Sequence, residues 1–192
     1  MAAIAVIAAL AAALGAGLAA STSPAPRTAP PADGARDRSD ALGVAGGAVP
    51  GGASVFDDGV PAVARLDPAL LGRLRRAASA AAADGVVIVV EGGWRSRAYQ
   101  AQLLREAVAK YGSEAEAARW VATPDTSAHV SGDAVDVGPP EAAAWLAERG
   151  AAYGLCRVYG NEPWHFELRP DAPARGCPPP YADPTRDPRI RR

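Results

Sequence analysis

Lysine is almost missing from this 192-residue chain: of its 20 basic residues only Lys110 is a lysine, and the 20 face 21 acidic residues for a formal net charge of -1. No stretch gathers enough basic side chains to track a phosphate backbone, which excludes nucleic acid as the expected partner. Internal repeats are absent, and the length excludes multidomain machinery, leaving one domain of ordinary size with extensions. The residue types best suited to chemistry are scarce, with only two histidines and two cysteines. Glycine (20) and proline (18) crowd into particular stretches, so part of the chain is expected not to pack.

Residues 2–20 lack any charged or strongly polar side chain and close on Leu18-Ala19-Ala20-Ser21, small residues that suit a signal peptidase. No Lys or Arg precedes this apolar run, so an uncleaved membrane anchor stays open beside a cleaved signal peptide. No Cys follows the run, which argues against a lipoprotein. Residues 21–60 shift to Pro, Ala, Gly, Asp and Arg with Phe56 as the lone aromatic, the composition of a disordered linker. A domain over 61–177 follows, and the Pro- and Arg-rich residues 178–192 read as a loose tail. In an exported chain, at the cell envelope or outside the cell, the even pair Cys156 and Cys177 reads as a disulfide. A Cys nucleophile would need a thiolate kept reduced there.

Within the domain, Leu70, Leu71, Leu74, Ala77, Ala78 and Ala81 recur at helical spacing after Asp67-Pro68, predicting a helix from Leu66 to Ala83 that stops near Gly85. Val86 to Val90 is a β-branched run bounded by glycines, as expected of a buried strand. Helices are predicted from Ser96 to Lys110, from Ser113 to Val121 with Ser113 and Glu116 as a capping box, and from Glu141 to Arg149. Ala134–Val137 and Trp164–Leu168 read as strands. Helices and strands intermix without a βαβ rhythm, which gives an α+β class: one small, mostly antiparallel sheet with flanking helices.

Each histidine sits in a short polar segment. His129 and Asp136 are seven residues apart, an odd number, so on one unbroken strand they would face opposite ways. Their convergence needs a turn, which Gly132 can supply. Asp136 would then share a face with Ala134, while Val135 and Val137 enter the core. In the second segment, alternation puts His165 with Glu167 on one face and Trp164, Phe166 and Leu168 on the apolar other. Pro163 places Glu162 in the preceding loop. Two His and one Asp are three ligands of the kind zinc accepts at a catalytic site, with a fourth position left for water. Glu162 is then the candidate general base.

These segments resemble the D-alanyl-D-alanine carboxypeptidase (VanY-like) family of zinc peptidases, in the group with lysostaphin-type and vancomycin-resistance D,D-peptidases. The pattern Ser-x-His-x-x-Gly-x-Ala-x-Asp is met at Ser127, His129, Gly132, Ala134 and Asp136, and Glu-x-x-His at Glu162 and His165. A third element, an aromatic-Arg-Ser turn before a helix carrying Gln, appears as Trp94-Arg95-Ser96 with Gln100; Trp94 stands where Tyr is common. The resemblance implies the fold of that group and one Zn2+ per chain held by His129, Asp136 and His165, with Glu162 as base. It further implies Arg95, Gln100 and Ser127 as groups that engage substrate. Tyr159 is a further candidate for the pocket wall. The plainer alternatives are a salt bridge from Arg95 to Glu91 and an exposed helix position for Gln100. The expected function is a monomeric, secreted or membrane-tethered D,D-carboxypeptidase acting on peptidoglycan stem peptides. An endopeptidase or dipeptidase with the same metal site stays open, as does a non-catalytic zinc-containing wall-binding module, although such a module has no need of Glu162.

Overall fold

The computed structural model describes residues 41–190. The expected signal peptide or anchor at 1–20 and the first half of the expected linker lie outside the described residues. The helices are α1 (Pro61–Ala64), α2 (Pro68–Ala83), α3 (Arg97–Tyr111), α4 (Glu114–Ala117), α5 (Ala128–Ser131), α6 (Pro140–Arg149) and α7 (Ala172–Arg175). The strands are β1 (Ala53–Ser54), β2 (Val89–Gly92), β3 (Ala134–Gly138), β4 (Leu155–Arg157) and β5 (His165–Leu168). They form one sheet in the order β1-β2-β3-β5-β4, with every neighbouring pair antiparallel, as the α+β reading expects.

The long helix α2 begins where Asp67 caps it, its carboxylate accepting from the backbone N–H of Ala69 and Leu70 at 2.9 and 3.0 Å, with Pro68 at the first helical position. Its buried stripe of Leu70, Leu74, Ala77, Ala78 and Ala81 covers one face of the sheet, where Val90, Val135, Val137 and Phe166 complete the core. Among the described residues, no helix is long and apolar enough to cross a membrane.

The second strand starts three residues later than expected, at Val89. Gly85, at φ +78°, ends α2 in a Schellman closure: Val86 N donates to Ala81 O at 2.8 Å and Gly85 N to Ala82 O at 3.0 Å. Val86 therefore belongs to the helix cap, and Val87 is left 69 % exposed. The helix after Ser113 is also shorter than expected, covering Glu114–Ala117, although Ser113 Oγ does accept from Glu116 N at 3.2 Å. Trp164 lies before β5 begins and is 39 % exposed, so it does not join Phe166 in the core.

Both flanking segments depart from the composition-based reading. The last part of the supposed linker is folded: a 3-10 turn covers Val44–Gly46, Ala53 and Ser54 pair with Val90 and Val89, and Val55 is 1 % exposed. Few apolar residues suffice here because the backbone of β1 completes the edge of the sheet. The supposed loose tail is held as well. Tyr181 N donates to Val158 O at 2.9 Å, Gly160 N donates to Tyr181 O at 2.7 Å, a 3-10 turn covers Pro184–Arg186, and Asp187 is fully buried. Its Pro and Arg content hides this because polar contacts rather than apolar burial fasten it. The expected bridge joins Cys156 in β4 to Cys177, immediately before this segment.

If residues 41–60 belong to the folded body, Val55→Ala removes two buried carbon groups and lowers unfolding stability by about 2 kcal/mol in denaturant titration. An unchanged midpoint would restore the linker reading.

Candidate metal centre

The sheet itself places two of the three candidate ligands. Asp136 on β3 and His165 on β5 are register partners, so their side chains leave the same face from directly opposite positions. His129 arrives by another route. It lies in α5, which ends at Gly132 with φ +84°, and from there the chain reverses into β3. A Cβ at Gly132 would also lie 2.5 Å from the Arg65 carbonyl oxygen, so the turn requires glycine on both counts. Across the sheet, the β2–β3 register shifts between Val90 and Gly92. A Cβ on Gly92 would sit 2.6 Å from Asp136 Oδ2 and 2.8 Å from Arg95 Nη2, so the bare backbone makes room for that pair.

The outer partners of the imidazoles decide which nitrogen faces inward. His129 Nδ1 lies 2.9 Å from the Gly93 carbonyl oxygen, which can only accept, so Nδ1 carries the proton and Nε2 presents its lone pair to the centre. His165 is turned the other way. Its Nε2 lies 3.3 Å from Glu167 Oε1, and Nδ1 faces the centre. His129 Nε2, His165 Nδ1 and Asp136 Oδ1 then form a buried triangle with edges of 3.3, 3.2 and 3.4 Å. Two ligands each about 2.0–2.1 Å from zinc at the tetrahedral angle are separated by roughly 3.3 Å. The triangle has that size.

Asp136 divides its two oxygens between tasks. While Oδ1 faces the imidazoles, Oδ2 accepts from Arg95 Nη2 at 2.5 Å. Arg95 Nη1 donates to Gln100 Oε1 at 3.3 Å, and Gln100 Nε2 donates to Ala122 O at 2.8 Å. Arg95 is thus paired with a candidate ligand and not with Glu91, and Gln100 is 1 % exposed rather than an open helix position. Glu162 Oε2 lies 3.7 Å from His165 Nδ1, whereas its buried Oε1 has no hydrogen-bond partner. Ser127 Oγ is buried and unpartnered in the same way. Buried polar atoms without partners are rare in folded proteins and mark room for something else. The three converging donors and the orphaned carboxylate oxygen fit a zinc ion with its water, and His129, Asp136 and His165 would hold it.

All eight candidate site residues line one cavity of about 610 Å³, together with Leu103, Tyr111, Trp120 and Trp164. Tyr159 contributes its ring, 5.0 Å from that of His165, while its hydroxyl is committed to Asp187 at 3.1 Å. It is therefore not a free hydroxyl in the pocket wall. Burial pushes Glu162 up to about 7, which suits a base at neutral pH. Burial lowers the His129 imidazole, and the Arg95 charge adds to this. Burial acts the opposite way on Asp136, but the charges of His129 and Arg95 hold its carboxyl well below the usual range. For His165, burial is outweighed by hydrogen bonds to Asp136 and Glu167, which raise it to about 9.

A family model for the VanY D-alanyl-D-alanine carboxypeptidases matches residues 63–171, more than half of the chain. The chain belongs to this family. A curated relative, a D-alanyl-D-alanine carboxypeptidase of Enterococcus faecalis strain V583, is 34 % identical over 127 residues; the match covers 53 % of this chain and 47 % of that enzyme. The chain thus spans about half the length of this curated relative. Among solved structures, a vancomycin-resistance D,D-pentapeptidase VanY carrying a glutamate-to-alanine substitution, in complex with Zn(II), superposes with a TM-score of 0.51 at 32 % identity, covering 54 % of this chain and 72 % of that one. VanYB in complex with D-alanine-D-alanine gives the same TM-score and identity over 54 % of this chain and 71 % of that one. Residues 172–190 lie beyond the stretch that the VanY model matches.

Glu167 is not among the candidate site residues drawn from the sequence, although alternation along β5 puts it on the His165 face. Its ionised state follows from its surroundings: burial raises its carboxyl, but His165 and Arg189 bring it far below the usual range.

The protonation pattern predicts how zinc and pH interact. A raised imidazole contributes stability that is complete below the unfolded value near 6.5 and is lost as pH rises through about 9. Glu162, also raised, loses its contribution between about 4.5 and 7. A zinc ion held by His165 would displace the imidazole proton, so its stabilising effect would grow with pH. Thermal melts with zinc and with chelator should show a larger zinc-induced rise in melting temperature at pH 8 than at pH 6; an equal or smaller rise contradicts this assignment.

Proposed function

We propose that the domain is a zinc D,D-carboxypeptidase of the cell envelope that removes the terminal D-amino acid from peptidoglycan stem peptides. The observation that carries this reading is the buried triangle of His129 Nε2, Asp136 Oδ1 and His165 Nδ1 beside the unpartnered Oε1 of Glu162. The VanYB complex with D-alanine-D-alanine supports the substrate class, and membership of the VanY family supports the reaction. Zinc, when bound, supplies Lewis acidity and a more acidic water. Glu162 takes a proton from the attacking water and delivers it to the leaving amine. Arg95, fixed by Asp136 and Gln100, brings a guanidinium to the edge of the cavity, where it stabilises negative charge on the scissile carbonyl oxygen or holds the terminal carboxylate. Ser127 Oγ is available to hydrogen-bond the same peptide. Export by residues 1–20 agrees with the Cys156–Cys177 disulfide, a bond that persists in oxidising compartments.

Mass spectrometry of a muropeptide pentapeptide incubated with the protein tests this. Loss of one terminal residue is expected with zinc and not with chelator. Glu162→Ala should keep stoichiometric zinc and lose roughly 10²–10⁴-fold in rate. Full activity of that variant, or cleavage into two large fragments, overturns the proposal.

A further inference from the structure

The segment 178–190, beyond the VanY match, carries a residue that reaches the back of the metal site. Glu167 Oε1 is the atom facing His165 Nε2. Arg189 grips both oxygens of that carboxylate, donating from Nη1 to Oε2 at 2.6 Å and from Nη2 to Oε1 at 3.3 Å. Arg169 reaches Oε2 alone, at 2.9 Å, and also donates to Leu168 O. Arg189 is held in turn by Asp187, whose oxygens accept from Arg189 Nε at 3.0 and 2.9 Å, and Asp187 also accepts from the Tyr159 hydroxyl. Two carboxylates and two guanidiniums thus balance in charge directly behind His165.

We propose that Arg189 is a positioning residue for the metal centre: by clamping Glu167 in one plane it fixes the ring of His165 and points Nδ1 at the ion. The proposal rests on the zinc reading above and adds to it a residue from the C-terminal segment. A ligating imidazole keeps its orientation and its basicity through the acceptor on its other nitrogen. A carboxylate can rotate about its own bonds, and a guanidinium fork on both oxygens stops that rotation. Arg169, on one oxygen, leaves the rotation open. A lysine at 189 would keep the charge but could not form the fork.

Zinc affinity of Arg189→Ala and Arg189→Lys, measured by competition with a chromogenic chelator on protein shown to be folded by circular dichroism, tests the proposal. Loss of about 10–100-fold is expected for Arg189→Ala, with Arg189→Lys in between, and the visible bands of the cobalt-substituted variants should shift. A purely structural side chain would change the melting temperature of the metal-free protein and leave zinc affinity and cobalt bands as in the wild type. That result overturns the proposal. So does failure of both variants to fold, since the Arg189 side chain is 45 % exposed and a positioning role does not require it for folding. If Arg189→Ala alone fails to fold, Arg189→Lys decides by the same readouts. Wild-type protein that binds no stoichiometric zinc removes the metal reading and this proposal together. Wild-type protein that binds zinc and leaves the pentapeptide intact removes only the carboxypeptidase reading, and the Arg189 comparison stands.

Discussion

Two imidazole nitrogens and a carboxylate oxygen, all buried, converge within 3.4 Å of one another, and such an arrangement is costly unless a cation or a shared proton occupies its centre. Much of the surrounding structure answers that constraint. The Gly93 carbonyl and the Glu167 carboxylate each take the outward N–H of one imidazole, so neither ring can turn away. Arg95 draws off the second oxygen of Asp136, and the bare backbone at Gly92 leaves room for it. The antiparallel register of β3 and β5 sets Asp136 opposite His165 with no flexible element between them. Strand register and the partners on the far side of each candidate ligand thus hold the three donors in one arrangement.

The three candidate ligands are legible in sequence because their constraints are local. The odd spacing between His129 and Asp136 demands a reversal, and Gly132 supplies it at φ +84°. The alternation His165-Phe166-Glu167 is realised in β5, with Phe166 in the core and the two polar side chains on the other face. The late start of β2 was not legible from the valine run. It depends on hydrogen bonds back to Ala81 and Ala82, which hold Val86 in the helix cap.

The chain segments on either side of the domain differ from the composition-based expectation for a common reason. Composition measures how much apolar surface a segment can bury, and both stretches are poor in it. Ala53 and Ser54 are fastened by pairing with β2, and residues 181–189 by backbone bonds to Val158 and Gly160 and by ion pairs to Glu167. Contacts of that kind are made across long sequence separations and leave no periodic trace. Arg189 and Glu167 are 22 residues apart, with prolines and the disulfide-bonded Cys177 between them.

Occupation of the site by one zinc ion between His129, Asp136 and His165 is open to a direct spectroscopic test. That test is X-ray absorption at the zinc edge on the stoichiometrically loaded protein. One zinc per chain is expected, in a shell of nitrogen and oxygen at about 2.0–2.1 Å with the outer-shell signature of two imidazoles and no sulfur. A sulfur shell, a shell without imidazole, or zinc that binds equally well after His129→Ala and His165→Ala would contradict it.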